Sequence, residues 1–522
     1  MKKILFIITI LLSAVILIAC EPKVDINPPI ETTDLRLENP RNDIYYQIFI
    51  RSFADSNGDG IGDFNGVTNN LDYLEDLGIT AIWMLPFNDT DNDFGSHHGY
   101  RIKDYYNVNS EYGTMEDLEN LISEANKRNI RVMMDLVINH TSDTHPWYID
   151  AKNNTNSEFR DYYIWTSENN AFESFSGGMK DLNLNNEKVV EEIKNIIEYW
   201  INKGITGFRY DAAKHFFIGD PNSNPAVMTV KTHQFIRELQ LHARSINEDV
   251  YFLGEVFEYD YNFYKDYYIG LDSLFDFYTA REIWQRVGSG NDKRLFVSNL
   301  ERAYATYRPY NRDYAPSIFI SNHDLDRVAS MSEFGGLNAL NKLKLAASVT
   351  LTLPGSTHIY YGEELGMKGI RYEGLQTDQG TVYDQYRRSP FLWGEQSKMT
   401  TWLNPYAESH STKSVLEQSS DENSLLNHYK ALIDIRKNNP ALMYGNYFKA
   451  WKDNTSFLQG YVRHYEFEDI NQTILVIHNM TDSQRIVDLA DETVLYGDLE
   501  IKPYGTLILE LDSNLIANYI NE

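Results

Sequence analysis

A chain of 522 residues exceeds one average domain, so several domains or one large barrel with attachments are expected. The formal charge of −28, from 47 basic against 75 acidic residues, repels phosphate backbones; it argues against nucleic-acid binding and suits a neutral substrate with bound cations. The 42% hydrophobic share supports an ordinary core, while 37 Tyr, 25 Phe and 8 Trp provide rings that stack on sugar faces or fill an interior.

At the N-terminus, Lys2 and Lys3 precede an apolar run over 4–19 that is too short to span a membrane comfortably and reads as a secretory leader, 1–20. The run ends Leu17-Ile18-Ala19-Cys20, which resembles a bacterial lipobox. Lipidation of Cys20 and anchorage to a bacterial membrane, outside the cytoplasm, are therefore expected. Cys20 is the single cysteine, so no intrachain disulfide can form. A polar, proline-containing tether follows over 21–42.

From Asp43 onward, short apolar runs alternate with amphipathic stretches. The runs at 44–50, 81–85, 132–137, 207–210, 251–254, 317–320 and 359–361 read as buried strands, with a weaker one at 274–277. Helical periodicity appears between them at 115–128, 187–203 and 230–245. This alternation predicts an α/β fold, a (β/α)8 barrel spanning 43–140 and 186–440. The connection after the third strand is too long and is assigned to an inserted domain, 141–185. Beyond about Pro440, runs at 457–462, 474–477 and 506–511 predict a C-terminal antiparallel β-domain, 441–522.

Early in the barrel, Asp55, Asn57, Asp59, Ile61 and Asp63 fall at alternate positions with glycines between them. Hard oxygen ligands on a backbone free to turn are the logic of a calcium loop, so Ca2+ is expected there. The glutamate that would complete an EF-hand-like loop is absent.

In such a barrel, chemistry sits at the C-terminal ends of the strands. There this sequence places Asp135, Asn139 and His140, then Arg209 and Asp211, then Glu255, then Asn322, His323 and Asp324. A lone acid at a strand end is often the cap of the next helix. Capping does not explain why arginine, histidine and acid recur together.

The segments DLVINH (135–140), GFRYDAAKH (207–215), GEVF (254–257) and SNHD (321–324) resemble, in order, the signature regions of glycoside hydrolase family 13, the α-amylase family. MKDLN (179–183), HHGY (97–100), the opening YYQIFIRSFADSNGDGIGDFNGV and LPGSTHIYYGEELGM match it too, over about 43–440. The pattern most resembles bacterial α-amylases intermediate between classical amylases and oligo-1,6-glucosidases. The resemblance implies Asp211 as nucleophile, Glu255 as general acid/base and Asp324 as stabiliser of a positively charged transition state. It implies further that His98, Tyr100, His140 and His323 hold the sugar on the non-reducing side of the cut, with Arg209 keeping Asp211 ionised. Lys214 and His215 match residues that bind past the cut, and Asp384 with Arg388 aligns more loosely with an eighth-strand pair.

A second calcium site is implied at Asn139, Asp181 and the His215 carbonyl, although Lys180 stands where the family pattern has another residue. The expected activity is retaining hydrolysis of internal α-1,4 bonds in an α-glucan by a monomeric enzyme. The alternatives are an exo-acting oligo-α-glucosidase, a glucanotransferase, or a non-catalytic glycan-binding lipoprotein; the last lacks support because all three acids are present.

Overall fold

The computed structural model describes residues 42–91, 97–220, 224–311, 314–489 and 492–521. The leader, Cys20 and the tether through residue 41 lie outside these described residues.

The barrel strands are β1 (Ile44–Ile48), β2 (Ala81–Met84), β3 (Arg131–Leu136), β4 (Gly207–Tyr210), β5 (Tyr251–Gly254), β6 (Ser273–Leu274), β7 (Ser317–Ile318) and β8 (Ser356–Tyr360). They form one parallel sheet in the order β6-β5-β4-β3-β2-β1-β8-β7. A parallel bridge between Phe275 and Ser317, with the Asp276 N–H donating to the Ser317 carbonyl at 3.0 Å, closes β6 onto β7. The predicted barrel is therefore observed. The rings of Tyr45 and His358 stack inside it at 4.6 Å, and Trp83 meets Phe275 at 5.1 Å, so the interior is packed rather than hollow.

Several predicted elements shift at their edges: β1 ends at Ile48, β7 at Ile318, and β8 begins at Ser356. The run at 274–277 yields strand only through Leu274, because the Asp276 side chain accepts the Thr279 N–H and starts a helix at Phe277. The third predicted helix begins at Pro225, not 230, since Asn224 caps it and Pro225 occupies the first turn, where no N–H is needed. Helix Glu187–Asn202 follows its periodicity, burying Val189, Ile193, Ile196, Ile197 and Trp200 on one face.

Between β3 and β4, His140–Ser142 pairs antiparallel with Met179–Asp181 at the base of the inserted segment. C-terminally, β9 (Tyr447–Ala450), β10 (Leu458–Phe467), β11 (Ile470–Asn479), β12 (Thr493–Tyr496) and β13 (Thr506–Leu511) make the expected antiparallel sheet, ordered β9-β10-β11-β13-β12. Strand alternation splits its faces. Ile474, Val476 and Ile508 join the barrel's core, whereas Leu475, Ile477, Leu507 and Leu509 form a separate outer cluster. Arg436 and Arg463, both fully buried, donate to the carbonyls of Leu351, Thr352, Leu353 and Gly355 at the end of helix Ala339–Thr352. That helix end carries partial negative charge and orphan acceptors, which is why two buried cations are tolerated without a carboxylate partner there.

Candidate active site

His140, Arg209, Asp211, Glu255, His323 and Asp324 arrive through a strand end or the loop just after it, whereas Asp384 and Arg388 come from a short helical turn beyond a hairpin that follows β8. Arg209, on β4, is 1% exposed and organises the centre. Its Nη1 donates to Asp135 Oδ1 at 2.8 Å and to Asp211 Oδ1 at 2.7 Å, and its Nη2 meets Glu255 Oε2 at 2.9 Å. Arg209 and Asp211 share a side because they are two residues apart on an extended chain.

Immediately after Asp211 the chain turns left-handed at Ala212, with φ 51°. Such a turn costs a non-glycine residue roughly 1–2 kcal/mol. The turn directs the Ala212 N–H onto Glu255 Oε2 at 3.1 Å. Oε2 is thus engaged twice, which leaves Oε1 of Glu255 to carry a proton toward the pocket.

Burial pushes the carboxyl groups of Asp135, Asp211 and Glu255 upward, and the Arg209 charge opposes it in each case. Asp211 and Asp324 raise Glu255 further. One guanidinium thus serves three acids, each of which burial pushes toward its neutral form.

Asp324 behaves oppositely. Burial would raise it, but His323, Arg388 and Arg209 outweigh that and hold it well below the ordinary carboxylate range. His323 Nε2 lies 2.9 Å from Asp324 Oδ2, and Arg388 Nη2 lies 3.2 Å from Oδ1. The amide of Gln47 donates to His323 Nδ1 at 2.8 Å, so the proton of this buried ring sits on Nε2. Nε2 also faces the Tyr100 hydroxyl at 2.6 Å, which in turn donates to Asp135 Oδ2 at 2.9 Å. The Tyr100 and His323 rings stack at 5.6 Å, and His98 stacks beyond Tyr100 at 5.8 Å.

Asp384 and Arg388, aligned only loosely in the sequence, do meet the site: Arg388 Nη1 binds Asp384 Oδ2 at 2.7 Å, and Arg388 is buried. His140 Nε2 bonds the Tyr100 carbonyl at 3.2 Å. Lys214 reaches the Phe257 carbonyl at 3.2 Å and Glu258 at 3.1 Å, and His215 packs on Phe175 at 4.6 Å. A cavity of about 460 Å3 is lined by His98, Tyr100, His140, Asp211, Lys214, His215, Glu255, Asp324, Asp384 and Arg388 together.

Several contributors escaped the sequence reading. Asp135 stood at its strand end without an assigned role, yet completes the Arg209 cluster. Gln47 fixes the His323 tautomer, Phe175 wedges between His140 and His215, and His97 touches Arg388 at 3.3 Å. The histidine doublet at 97–98 was the one available signal.

The two expected calcium loops differ in what surrounds them. In the first, Asp55 accepts the N–H groups of Asn57, Gly58 and Gly60, Asn57 accepts that of Asp59, Asp59 accepts that of Ile61, and Asp63 caps Gly66. Gly60, at φ 92°, packs so tightly against the Thr401 side chain that a Cβ would collide. Its carbonyl takes the N–H groups of Thr401 and Trp402, and Trp402 stacks on His97 at 5.5 Å. The loop is thereby mechanically linked, through Trp402, His97 and Arg388, to Asp324.

At the second, Asn139 Nδ2 donates to Ser174 Oγ at 3.0 Å, and Asp181 Oδ1 accepts from Ser174 N and Oγ. Lys180 goes to Glu173 and the face of Tyr148, on the other side of the strand from Asp181. Among the described residues, no three His, Cys, Asp or Glu side chains converge as a metal-ligand set.

A sequence profile described as alpha amylase, catalytic domain, matches residues 47–445. The chain is 36% identical over 501 residues to Alpha-amylase 3 of Dictyoglomus thermophilum, covering 90% of this chain and 93% of that one. To an oligo-1,6-glucosidase of Bacillus cereus it is 30% identical over 540 residues, covering 88% and 94%. The crystal structure of an α-amylase from H. orenii superposes with a TM-score of 0.78 at 31% identity, covering 90% of this chain and 99% of that one.

Proposed function

Because the chain belongs to the α-amylase family of glycoside hydrolases, we propose that it cleaves internal α-1,4-glucosidic bonds of starch, glycogen or maltooligosaccharides with retention of anomeric configuration. The observation that carries this reading is the Arg209 cluster. It keeps two carboxyls, Asp211 and Glu255, on one guanidinium beside a pocket that Asp324 also lines.

Asp211 attacks the anomeric carbon as Glu255 gives its proton to the departing oxygen; the C–O bond breaks and an Asp211 glycosyl ester forms. Glu255, now a carboxylate, takes a proton from water, which displaces Asp211 from the same carbon. Two inversions give retention. Asp324, held ionised by His323 and Arg388, faces the positive charge that develops between these states. Arg209 contacts both carboxyls, Asp211 at 2.7 Å and Glu255 at 2.9 Å.

Lys214 and His215 line the same pocket as His98 and Asp384, and their match to residues that bind past the cut favours binding of a glucan on both sides of it, hence the endo reading. With starch, the purified enzyme is expected to produce mixed oligosaccharides while long chains vanish early. Glucose released from chain ends alone, or chain lengths redistributed without new reducing ends, would replace the reading by an exo-glucosidase or a glucanotransferase.

The same reading includes a calcium ion in the first loop, held by side-chain oxygens of Asp55, Asn57, Asp59 and Asp63 and the Ile61 carbonyl. Asp55 Oδ2, Asp59 Oδ1 and Asp63 Oδ2 each accept a single N–H and keep a lone pair, so they suit a hard cation, whereas Asp55 Oδ1 and Asp63 Oδ1 each already accept two bonds. The ion would offset the negative charge that Asp55, Asp59 and Asp63 bring to one loop and stiffen the support beneath Trp402. A cation bound only by the folded state at a hundredfold excess over its Kd stabilises by about 2.7 kcal/mol. Chelator is therefore expected to lower Tm by a few degrees, and Asp59→Ala to abolish that calcium-dependent shift. A melting curve indifferent to chelator and calcium overturns the site.

Lipid anchorage at Cys20 completes the proposal, placing the enzyme outside the cytoplasm. In cells fed labelled fatty acid, the wild-type chain is expected to take up label and partition with membranes, and Cys20→Ser to do neither. An unlabelled wild-type chain removes the anchor.

A further inference from the structure

Helix Phe277–Ile283 does not end as an α-helix. It runs into a π-helical turn, Trp284–Gly288, in which the Ser289 N–H reaches back to the Trp284 carbonyl at 3.0 Å. Such turns are rare and are found disproportionately at functional sites. Here the turn touches both ends of the segment that carries Asp324.

At the near end, the Trp284 indole N–H donates to the Ile320 carbonyl at 2.9 Å. Ile320 is buried and lies beyond the β7–β8 ladder, which stops at Ile318, so the indole supplies the donor that a strand or solvent would otherwise give. At the far end, Lys342 donates to the Gly288 carbonyl at 2.7 Å and to the Glu333 carbonyl at 2.8 Å. Gly288 packs so closely there that a Cβ would stand 2.8 Å from Glu333 Cβ and 2.9 Å from the Phe334 ring. One short turn thus grips the span 320–334 at both ends, with Asp324 between the grips.

The Trp284 ring reaches a second loop as well. It meets Tyr259 edge-on at 6.3 Å, and Tyr259 packs on Phe257 at 5.6 Å. Phe257, two residues after Glu255, lines the catalytic cavity, whereas Trp284 itself stays outside the lining. Phe277, at the start of the same helix, contacts Phe257 at 4.7 Å and Phe319 at 5.0 Å. A single element therefore braces the loop after β5, which carries Glu255, against the loop after β7, which carries Asp324.

We propose that Trp284 is a positioning residue for bond cleavage, a strut that fixes Asp324 relative to Glu255 by holding the Ile320 carbonyl. The inference rests on the retaining-glycosidase reading, in which Asp324 faces a positive charge that exists only in the transition state. A carboxylate stabilises such charge best when it is already in place, so a slackened loop has to reorganise during the reaction. The ground-state sugar is affected far less, because the contacts implied for Tyr100 and His140 do not run through Trp284.

Trp284→Phe keeps a ring against Tyr259 and loses only the N–H. Its kcat on an activated aryl α-glucoside is expected to fall about tenfold, the scale of one buried hydrogen bond, with KM nearly unchanged. Affinity for 1-deoxynojirimycin, a glucose analogue whose ammonium stands in for the transition-state charge, is expected to fall by the same factor, while affinity for neutral maltose holds. Lys342→Met slackens the far grip from a half-buried position and is expected to give the same signature more weakly, so it decides the matter if Trp284→Phe does not fold. A lowered Tm with kcat and analogue affinity of the folded enzyme intact overturns the proposal. So does an equal loss of affinity for the analogue and for maltose; either result makes the turn a prop for the fold. A wild-type enzyme that neither cleaves the glucoside nor binds the cationic analogue overturns the glycosidase reading instead.

Discussion

Replacing Asp211 by Ala is expected to lower hydrolysis of maltooligosaccharides by about 10⁴-fold or more, the scale on which a covalent nucleophile is missed. KM is expected to change little, because the sugar contacts implied for Tyr100, His140, His323 and Arg388 do not pass through Asp211. The loss is not one of folding: removing Asp211 leaves Arg209 still paired with Asp135 and Glu255, so no buried cation is orphaned. Rates and Tm measured on the same preparation separate the two effects. A variant retaining wild-type turnover would strip Asp211 of its role.

How far the sequence reached can be judged from single elements. β4 and β5 were legible because Gly207–Tyr210 and Tyr251–Gly254 are buried on both faces and rich in aromatic residues, with Arg209 the one charge interrupting the pattern. β6 was legible in position but not in extent, because Leu274 and Phe275 continue into a helix whose buried Phe277, Ala280 and Ile283 are equally apolar. There the cap at Asp276 decides, and a cap is a local polar event inside a hydrophobic run.

The same division runs through the site. Asp211, Glu255, Asp324 and the histidines were visible because motif and strand end coincide. Gln47 and Trp402 were invisible, since each acts by contact across the fold: Gln47 on His323 from β1, Trp402 on His97 from a loop after β8. Nothing in the periodicity of a strand or the composition of a loop announces such a partner. Arg388 lies between these cases. Its alignment was loose and its charge unremarkable, but complete burial with two carboxylates on one guanidinium makes it part of the centre.

Glu255 allows the two acids to be told apart. Glu255→Gln is expected to slow glucan hydrolysis by about 10² to 10⁴-fold, the usual contribution of a general acid. Oε2 in the native enzyme accepts from Arg209 and Ala212, and the glutamine oxygen can do the same, so the fold survives. An aryl glucoside with a good leaving group needs no proton, so with it the variant still forms the Asp211 ester. Hydrolysis of that ester then stalls, because no carboxylate deprotonates water. Azide, already an anion, attacks the anomeric carbon directly and expels Asp211, yielding the α-glycosyl azide. In the wild type, activity must fall as pH rises through the elevated pKa of Glu255, since the donor form is the protonated one, and as pH falls far enough to protonate Asp211. Gln has no such titration, so the alkaline limb disappears from the variant's profile on the activated substrate while the acid limb remains. Azide rescue giving the β-azide, or an alkaline limb that persists in Glu255→Gln, would show that another group supplies the proton and that Glu255 and Asp211 have been assigned the wrong way round.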